Sequence, residues 1–253
     1  FKNMTLSSLT EKARIDGQGR LLVGTSSTDD YDGFNSFLQV TGTTGDKSSV
    51  TISRFSNNNS GANLILAKSR TGTIGNNAVL TAGDQIANIQ FHGNDGSGFH
   101  DAAIIRAEVA SGVGNDDMPA DLAFLTNGGT TGVTEQMRLT SGGKLLVGTS
   151  SSAEVASSVA STLQVKIGSS GIPASFYSTV DGIGPSGVIA LGHGRGSIGG
   201  ALQDNDLLGQ IRFAGGDGTD CVTQGAVIRA QVDGTPSSNN MPAELRFFTN
   251  SGS

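Results

Sequence analysis

Few residues of this sequence have the type and spacing that catalysis or metal binding requires. Its three histidines are His92, His100 and His193, and none recurs at the position that aligns with it in the other half of the chain. The sequence therefore predicts no recurring general base or ligand pair. The single cysteine, Cys221, has no disulfide partner and stands in no nucleophile motif, so we expect a buried, inert thiol.

Acidic turns offer the oxygen ligands that calcium prefers. Two such turns read GNDGSG at 93–98 and GGDGTD at 215–220, and their Asp95 and Asp217 precede glycine, as turn residues commonly do. The other candidates are Asp29, Asp30, Asp32, Asp116 and Asp117. None of these residues has the D-x-D-x-D-G spacing with a closing glutamate, so we interpret them as solvated turns. The sequence predicts no metal site and no cofactor.

The segment GRGSIG at 194–199 fits the glycine pattern of a dinucleotide-binding loop. Such a loop opens a helix, whereas the residues that follow this one predict a strand, and the first half of the chain reads SRTGTIG instead. We expect no phosphate binding here. The sequence leaves open whether two carboxylates are paired for glycoside cleavage, because the distance between them is set only by the folded protein. The scarcity of aromatic residues disfavours a cleft in which sugars stack. No catalytic residue is assigned, and we expect no enzyme activity.

Two glutamates each precede an arginine by three residues, Glu11 with Arg14 and Glu135 with Arg138. They form either ion pairs between subunits or solvated groups beside a strand, where exposed pairs contribute little stability. Receptor-binding residues are not assigned. The loops that differ between the two halves of the chain, 29–35 and 56–61, are where we expect any receptor contact, since recognition tends to sit on variable loops over a rigid frame.

Composition narrows the class of protein. The 253 residues include 38 glycines and no tryptophan, and aromatic residues total 5%, so the side chains that fill a thick core are scarce and a thin architecture is favoured. The net charge of −6 and the pI of about 4.9 are opposite to what phosphate binding needs, which excludes nucleic acid as a partner. The apolar runs are far shorter than the roughly 20 residues that span a bilayer, so no membrane insertion is expected.

An internal repeat organises the chain. TEKARIDGQGRLLVGTSS at 10–27 aligns with TEQMRLTSGGKLLVGTSS at 134–151, with 11 of 18 positions identical, and further matches follow in the same order at offsets of 122 to 125 residues. Two copies of a unit of about 124 residues are predicted. Residues 1–18 then end a preceding repeat, 19–142 form the first β-rich repeat, and 143–253 form a second one cut at its C-terminus. We expect the chain to be a window from a longer protein.

The repeated segments have the two-residue alternation of strands. In IRAEV, Ile105, Ala107 and Val109 point one way, which we take as inward, and Arg106 and Glu108 point the other way. Glycine-rich turns at 94–98, 215–218 and 181–182 predict hairpins. Only 150–165 has spacing compatible with a short amphipathic helix. The predicted fold is all-β.

Strands of this kind leave unpaired edges and one apolar face, and both must be covered. Association with identical chains is the economical solution, because no single chain then needs a thick core. We predict an elongated, fibrous homotrimer built of tandem β-rich repeats, with units that resemble a β-sandwich or a β-prism.

The junction motif resembles the T-E-R-M-R-I-D-x-x-G-x-[LV]-x-[VI]-G-T-S-S segment of bacteriophage tail fibres, especially those of marine, cyanophage-like phages. GDQIANIQFHGNDG, AAIIRAEV and MPADLAFLTN are similar to blocks that precede that segment in such fibres. Ala13, where the pattern has Met, and Thr140, where it has Asp, depart from it. No segment resembles the self-cleaving chaperone that often follows this junction, so no autoproteolysis is expected.

The resemblance implies a homotrimeric virion fibre, outside the cell, that joins other tail proteins and attaches to host surface polysaccharide or protein. Two other functions stay open. One is a tailspike that degrades host surface polysaccharide, and the other is a cellular adhesin or a capsid or neck fibre that binds no receptor.

Overall fold

The computed structural model describes residues 10–130, 132–158, 160–168, 172–176 and 188–252. These ranges contain twelve β-strands and one short 3₁₀ turn, Gly45–Ser48, so the predicted all-β fold is confirmed. The strands are β1 Ala13–Ile15, β2 Leu21–Val23, β3 Leu38–Val40, β4 Gln85–Asn94, β5 Phe99–Val109, β6 Ala120–Thr126, β7 Thr134–Leu139, β8 Leu145–Val147, β9 Leu163–Val165, β10 Leu207–Ala214, β11 Gln224–Val232 and β12 Ala243–Thr249. Across these residues no helix has the length and apolar character to cross a bilayer.

The chain divides into two compact units, 1–136 and 137–253, with the division inside β7. The hydrogen-bonded strand orders are β1-β2-β3, β4-β5-β6-β7-β8-β9 and β10-β11-β12. β1 pairs antiparallel with β2, and β2 pairs parallel with β3; β7, β8 and β9 pair in the same way. The boundaries predicted at 18/19 and 142/143 stay predictions.

The junction motif folds into a tight parallel contact. Leu22 in β2 and Leu146 in β8 are almost fully buried, and the chain then turns through a glycine. Gly24 has φ +82° and Gly148 has φ +73°. A Cβ atom on either would lie 2.0 Å from a carbonyl oxygen, that of Thr41 or that of Lys166, so the close approach of the parallel strand requires glycine.

The turn between the first two strands of the motif is fixed by a side-chain oxygen. Oδ1 of Asp16 accepts the backbone N–H of Arg20 at 3.0 Å, and Oδ2 binds the Arg20 guanidinium at 2.7 Å. In the second unit Oγ1 of Thr140 accepts the backbone N–H of Lys144 at 3.0 Å. Thr140 therefore makes the same backbone hydrogen bond as Asp16, but it cannot form the ion pair.

The long hairpins place apolar residues in cross-strand rows. In the first unit Ile89, Ile105 and Phe124 lie opposite one another. In the second unit the corresponding row is Ile211, Ile228 and Phe247. The predicted alternation is present, but its orientation was only partly right. Val109 and Val232 are buried, whereas Ile105 and Ile228 are half-buried.

The buried cluster of the first unit lies on the other face of that sheet. It consists of Ile104, Ala123 and Leu125, with Val133 packed against it. Ile104 faces Leu125 across β5 and β6, and Ala123 faces Arg106. The face that was taken as outward therefore carries the core of this unit, because Val133 packs against it.

The window at 150–165, whose spacing is compatible with a short helix, forms no helix over its described residues, where β9 is the regular element. Ala156 has φ +56°, its N–H donates to the Cys221 carbonyl at 2.8 Å, and its own carbonyl accepts from Arg212 at 3.0 Å. These tertiary hydrogen bonds override the local helical spacing. The turn predicted at 181–182 lies outside the described residues.

Substituting Gly148 by alanine tests the tight parallel contact. We expect Gly148→Ala to lower the free energy of unfolding by roughly 3 kcal/mol or more, because the new Cβ meets the Lys166 carbonyl. Gly143→Ala is the matched control: its φ is also positive, at +75°, but no atom lies within 4 Å of the added Cβ, so it should cost about 1 kcal/mol. Urea denaturation measures both, and equal losses would contradict the steric argument.

Candidate functional site

The chain leaves far more surface uncovered than a globular protein of its size. Its accessible surface is 18679 Å² for 25.6 kDa, whereas a compact monomer of that mass exposes roughly 10,400 Å². Among the described residues, large apolar side chains are exposed together on the sheet faces, which we take as the candidate functional site.

The apolar face of the first unit is the side of the sheet opposite its buried cluster. It is formed by Ile89, Phe91, Ile105, Leu122 and Phe124. Ile89, Phe91 and Leu122 are exposed, and Ile105 and Phe124 are half-buried. Five large apolar side chains in adjacent cross-strand rows make a continuous patch of the kind that marks an interaction surface.

The apolar face of the second unit has the same pattern. It is formed by Ile211, Phe213, Ile228, Leu245 and Phe247. All but Ile228 are exposed, Phe247 to 72%. Leu191 packs over Gly209, where a Cβ atom would lie 2.7 Å from the leucine side chain, so part of the face is covered by the preceding segment.

A long apolar segment of the first unit also lacks a strand partner. Residues 49–69 belong to no strand of the described chain. Its exposed apolar side chains are Val50, Ile52, Phe55, Leu64 and Ile65. Asn58 closes the loop at 56–61 by accepting the N–H of Ser60 at 3.1 Å. An apolar segment that belongs to no sheet is suited to pairing with another strand.

The structure gathers ligand-type residues that the sequence left apart. Atoms of Asp32, His92 and Asp101 all lie within 4.8 Å of one another. His100 lies beside them, with Nδ1 at 3.9 Å from Asp32 Oδ1 and Nε2 at 3.5 Å from Asp95 Oδ2. The sequence did not relate these histidines to the turn aspartates, because a loop and a hairpin distant in sequence meet here.

A buried glutamine fixes the loop that carries Asp32. Gln39 in β3 accepts the Asp29 N–H at 3.2 Å and donates to the Asp29 carbonyl at 3.1 Å. The ring of Tyr31 stacks on Phe99 with centroids 4.6 Å apart. Gln164 holds Ala153 with the same two bonds in the second unit, both at 3.0 Å. The recurring L-Q-V sequence signals this clamp, but alternation alone does not reveal it.

The remaining turn aspartates serve the backbone, as predicted for solvated turns. Asp30 accepts the Gly33 N–H at 2.6 Å, and Asp117 closes a turn with Gly114. The hydroxyl and N–H of Ser97, with the N–H of Gly98, lower the pKa of Asp95 to about 2. The N–H of Thr219 leads the contacts that lower the pKa of Asp217.

The other candidate groups have structural contacts. His193 Nδ1 lies 2.8 Å from the Leu207 carbonyl oxygen. Cys221 is half-buried rather than buried, because it lies in the turn whose carbonyl binds Ala156.

Arg14 and Glu11 pair within one chain, with Nη2 at 2.6 Å from Oε2, and the contact lowers the pKa of the exposed Glu11 carboxyl. Glu135 and Arg138 both lie in β7.

The glycine segment 194–199 forms a turn, and no helix follows it in the described part of the chain. Its arginine has a partner that the motif does not suggest. Arg195 binds Asp206 through two parallel bonds of 2.6 and 2.7 Å, and Asp206 also accepts the Gln203 N–H at 2.7 Å. These contacts, led by the arginine, lower the pKa of Asp206. In the first unit Asp84 binds Arg70 at 3.1 Å and Lys68 at 3.4 Å.

Comparison with known proteins gives two similar solved structures. One is the carboxy-terminal domain of the bacteriophage T5 L-shaped tail fibre, with a TM-score of 0.60 and 15% identity over 81% of this chain and 84% of that one. The other is the same domain with its intra-molecular chaperone domain, with a TM-score of 0.63 and 16% identity over 81% of this chain and 57% of that one. This chain therefore spans little more than half of the longer structure.

No protein-family model and no curated protein matches the sequence. At 15 to 16% identity the likeness to the solved structures shows the fold. The chain thus has a β-rich fold similar to that of the T5 tail-fibre domain.

The Arg195–Asp206 pair predicts a pH effect on stability. Because the folded pKa of Asp206 lies below the ordinary value of 3.8, its stabilising effect is present above that pH and is lost as the pH falls below it, through the folded pKa. Removing the arginine in Arg195→Gln should make the fall in Tm between about pH 5 and pH 2.5 smaller than in the unmodified chain.

Arg54→Gln is the control for this experiment, because the Arg54 guanidinium contacts the Asn58 amide oxygen and the Gly61 carbonyl. It should leave the pH dependence of Tm unchanged. An Arg195→Gln curve parallel to that of the unmodified chain would show that the ion pair does not govern the acid transition.

Proposed function

We propose that this chain is a structural and adhesive segment of a bacteriophage tail fibre, carried on the virion, that assembles as a homotrimer and attaches to the host cell surface. The observation that carries the proposal is the pair of exposed apolar sheet faces. The fold shared with the T5 tail-fibre domain supports the same reading.

Assembly with identical chains explains the uncovered surface. Each unit exposes one apolar sheet face, so a partner that covers only one of these faces leaves the other in water. Identical chains bring identical faces, so in three copies around one axis the Phe124 side chains can meet one another, and within the second unit the Phe247 side chains can do the same. This arrangement provides a dry interior without a thick core in any single chain.

The unpaired segment at 49–69 supports an assembly in which strands are shared. Its alternating Val50 and Ile52, and its later Leu64 and Ile65, are exposed in the single chain. Pairing with a neighbouring chain would satisfy the backbone groups and cover these side chains at once. A docked globular partner would cover the side chains but leave the backbone groups unpaired.

Attachment is assigned to the loops rather than to the sheets. The faces and edges are used by assembly in this proposal, which leaves turns such as 56–61 facing solvent. The loop is rich in asparagine and serine, groups that hydrogen-bond to sugar hydroxyls, and Asn58 holds its conformation from within. Neighbouring Asn57 and Asn59 are free to make outward contacts without loss of the turn.

The assembly is tested by the mass of the full 253-residue chain in solution. Three copies of 25.6 kDa give about 77 kDa, which we expect by light scattering at micromolar concentration. Phe247→Asp should abolish or weaken the trimer because it places a charge in the dry interface. The control is Ile74→Asp, at a fully exposed turn position outside the apolar faces. A well-folded monomer of the unmodified chain would refute the proposal.

Adhesion is tested by binding of the fluorescently labelled chain to a panel of bacterial cells. We expect saturable binding to a subset of strains and a reduction of at least about tenfold in Asn57→Ala/Asn59→Ala, since each lost hydrogen bond costs roughly 1 kcal/mol. Asn77→Ala, in a different exposed turn, is the control.

Incubation with polysaccharide purified from the bound strains separates an adhesin from a depolymerase. We expect no release of reducing sugar ends. Release that depends on the chain would favour the tailspike alternative, and a trimer that binds no strain would favour a shaft or neck segment.

A further inference from the structure

A loop and a hairpin of the first unit bring one imidazole and two carboxylates to a single point. Asp32 comes from the loop at 29–35, and His92 and Asp101 face each other across β4 and β5. Their ligand atoms all lie within 4.8 Å of one another, a separation that a small contraction brings to the spacing of ligands around one cation. This set differs from an exposed acidic cluster because it includes a mostly buried histidine.

The second observation is an unsatisfied buried carboxylate. Asp101 Oδ1 has no access to solvent and no hydrogen-bond partner in the described structure. His92 Nε2 lies 3.4 Å away, in ion-pair contact but without a hydrogen bond, and His92 Nδ1 is also buried without a hydrogen-bond partner. A buried carboxylate oxygen without a hydrogen bond costs free energy. A cation bound by Asp101 Oδ1 and a His92 nitrogen would give this oxygen a partner.

In the second unit, the positions that correspond to Asp32, His92 and Asp101 carry residues that do not form a ligand cluster. Ala214 and Gln224 are the register partners there, as His92 and Asp101 are in the first unit. Ala156, with φ +56°, occupies the loop position that corresponds to Asp32, with φ +55°. Gln224 donates to the Ala156 carbonyl at 3.0 Å, so a neutral contact joins loop and hairpin.

The three positions therefore change together, from Asp, His and Asp in one unit to Ala, Ala and Gln in the other. Replacement of only one of these residues would not indicate that the three side chains bind one ligand. The joint replacement is expected when the three side chains serve one bound group in the first unit.

We propose that Asp32, His92 and Asp101 bind a divalent transition-metal ion of the zinc type. The imidazole nitrogen selects such an ion over calcium, which prefers an all-oxygen shell, and two carboxylates neutralise its charge. The group borders an open depression of about 970 Å³ whose wall includes Asn127 and Thr130. Water or another oxygen ligand can complete the coordination from that side.

The ion would join the loop at 29–35 to the β4–β5 hairpin, in the place where the second unit uses the Gln224 contact. This role does not depend on the proposed attachment function. It requires only that the first unit folds, whatever the fibre binds.

The test uses the untagged 253-residue chain, stripped with chelator and titrated with zinc chloride by calorimetry, with bound metal counted by mass spectrometry. We expect one zinc per chain and a rise in Tm on binding. His92→Ala and Asp101→Gln introduce the residues of the second unit, so both should fold, and each should weaken zinc binding at least about tenfold.

Two controls identify the ligands. His193→Ala should leave zinc binding unchanged, because His193 lies beside the Leu207 carbonyl in the other unit. His100→Ala should retain one zinc per chain. Absence of stoichiometric binding, equal affinity for calcium, or loss of zinc in His100→Ala but not in His92→Ala would each overturn the proposal. A shift of the His92 imidazole resonances on zinc addition would support it independently of affinity.

Discussion

The constraint on which the structure depends is that a single chain does not cover its own sheets. Thirty-four large apolar side chains are exposed among the described residues, against eleven buried apolar ones. In the first unit one face of the sheet buries Ile104, Ala123 and Leu125, while Ile89, Phe91 and Leu122 on the other face are exposed. Because aromatic residues are few, the described strands do not supply a second layer over these faces. In the proposed assembly, identical chains supply that layer.

Local hydrogen bonds compensate for the thin core by fixing the backbone where packing does not. The parallel contact at Gly148, the Gln39 and Gln164 clamps, and the carboxylates of Asp84 and Asp206 each tie a loop to a strand end through polar groups. Such contacts act over one or two turns and need no hydrophobic partner. Each unit can therefore hold its strand registers while its apolar face is uncovered, which is what assembly from separate chains requires.

The sequence predicted the elements better than their contacts. Alternation in IRAEV and the glycine turns placed β4, β5 and β11 because these signals are local. The prediction of which face of the first sheet is buried was only partly right, because both faces carry apolar residues. Periodicity does not say which of the two faces a residue distant in sequence covers. The helix-compatible spacing at 150–165 does not lead to a helix, because Ala156 donates its N–H to the Cys221 carbonyl and accepts a hydrogen bond from Arg212. The cluster of Asp32, His92 and Asp101 could not be foreseen, since its members are separated by up to 69 positions and no spacing rule connects a loop to a hairpin.

Comparing the two units shows which residues are the same in both and which differ although the backbone conformation is the same. Glycine at 24 and 148, glutamine at 39 and 164, and aspartate at 84 and 206 are the same in both, and each makes the same backbone contact. Where the loop meets the hairpin, the backbone conformation is again the same, but the side chains change from charged to neutral. The frame therefore does not require charge at this position, and a hydrogen bond from Gln224 is enough to join the two elements. Three ionisable groups placed at a junction that a neutral pair can hold need a reason beyond folding, and a ligand of opposite charge is the simplest one.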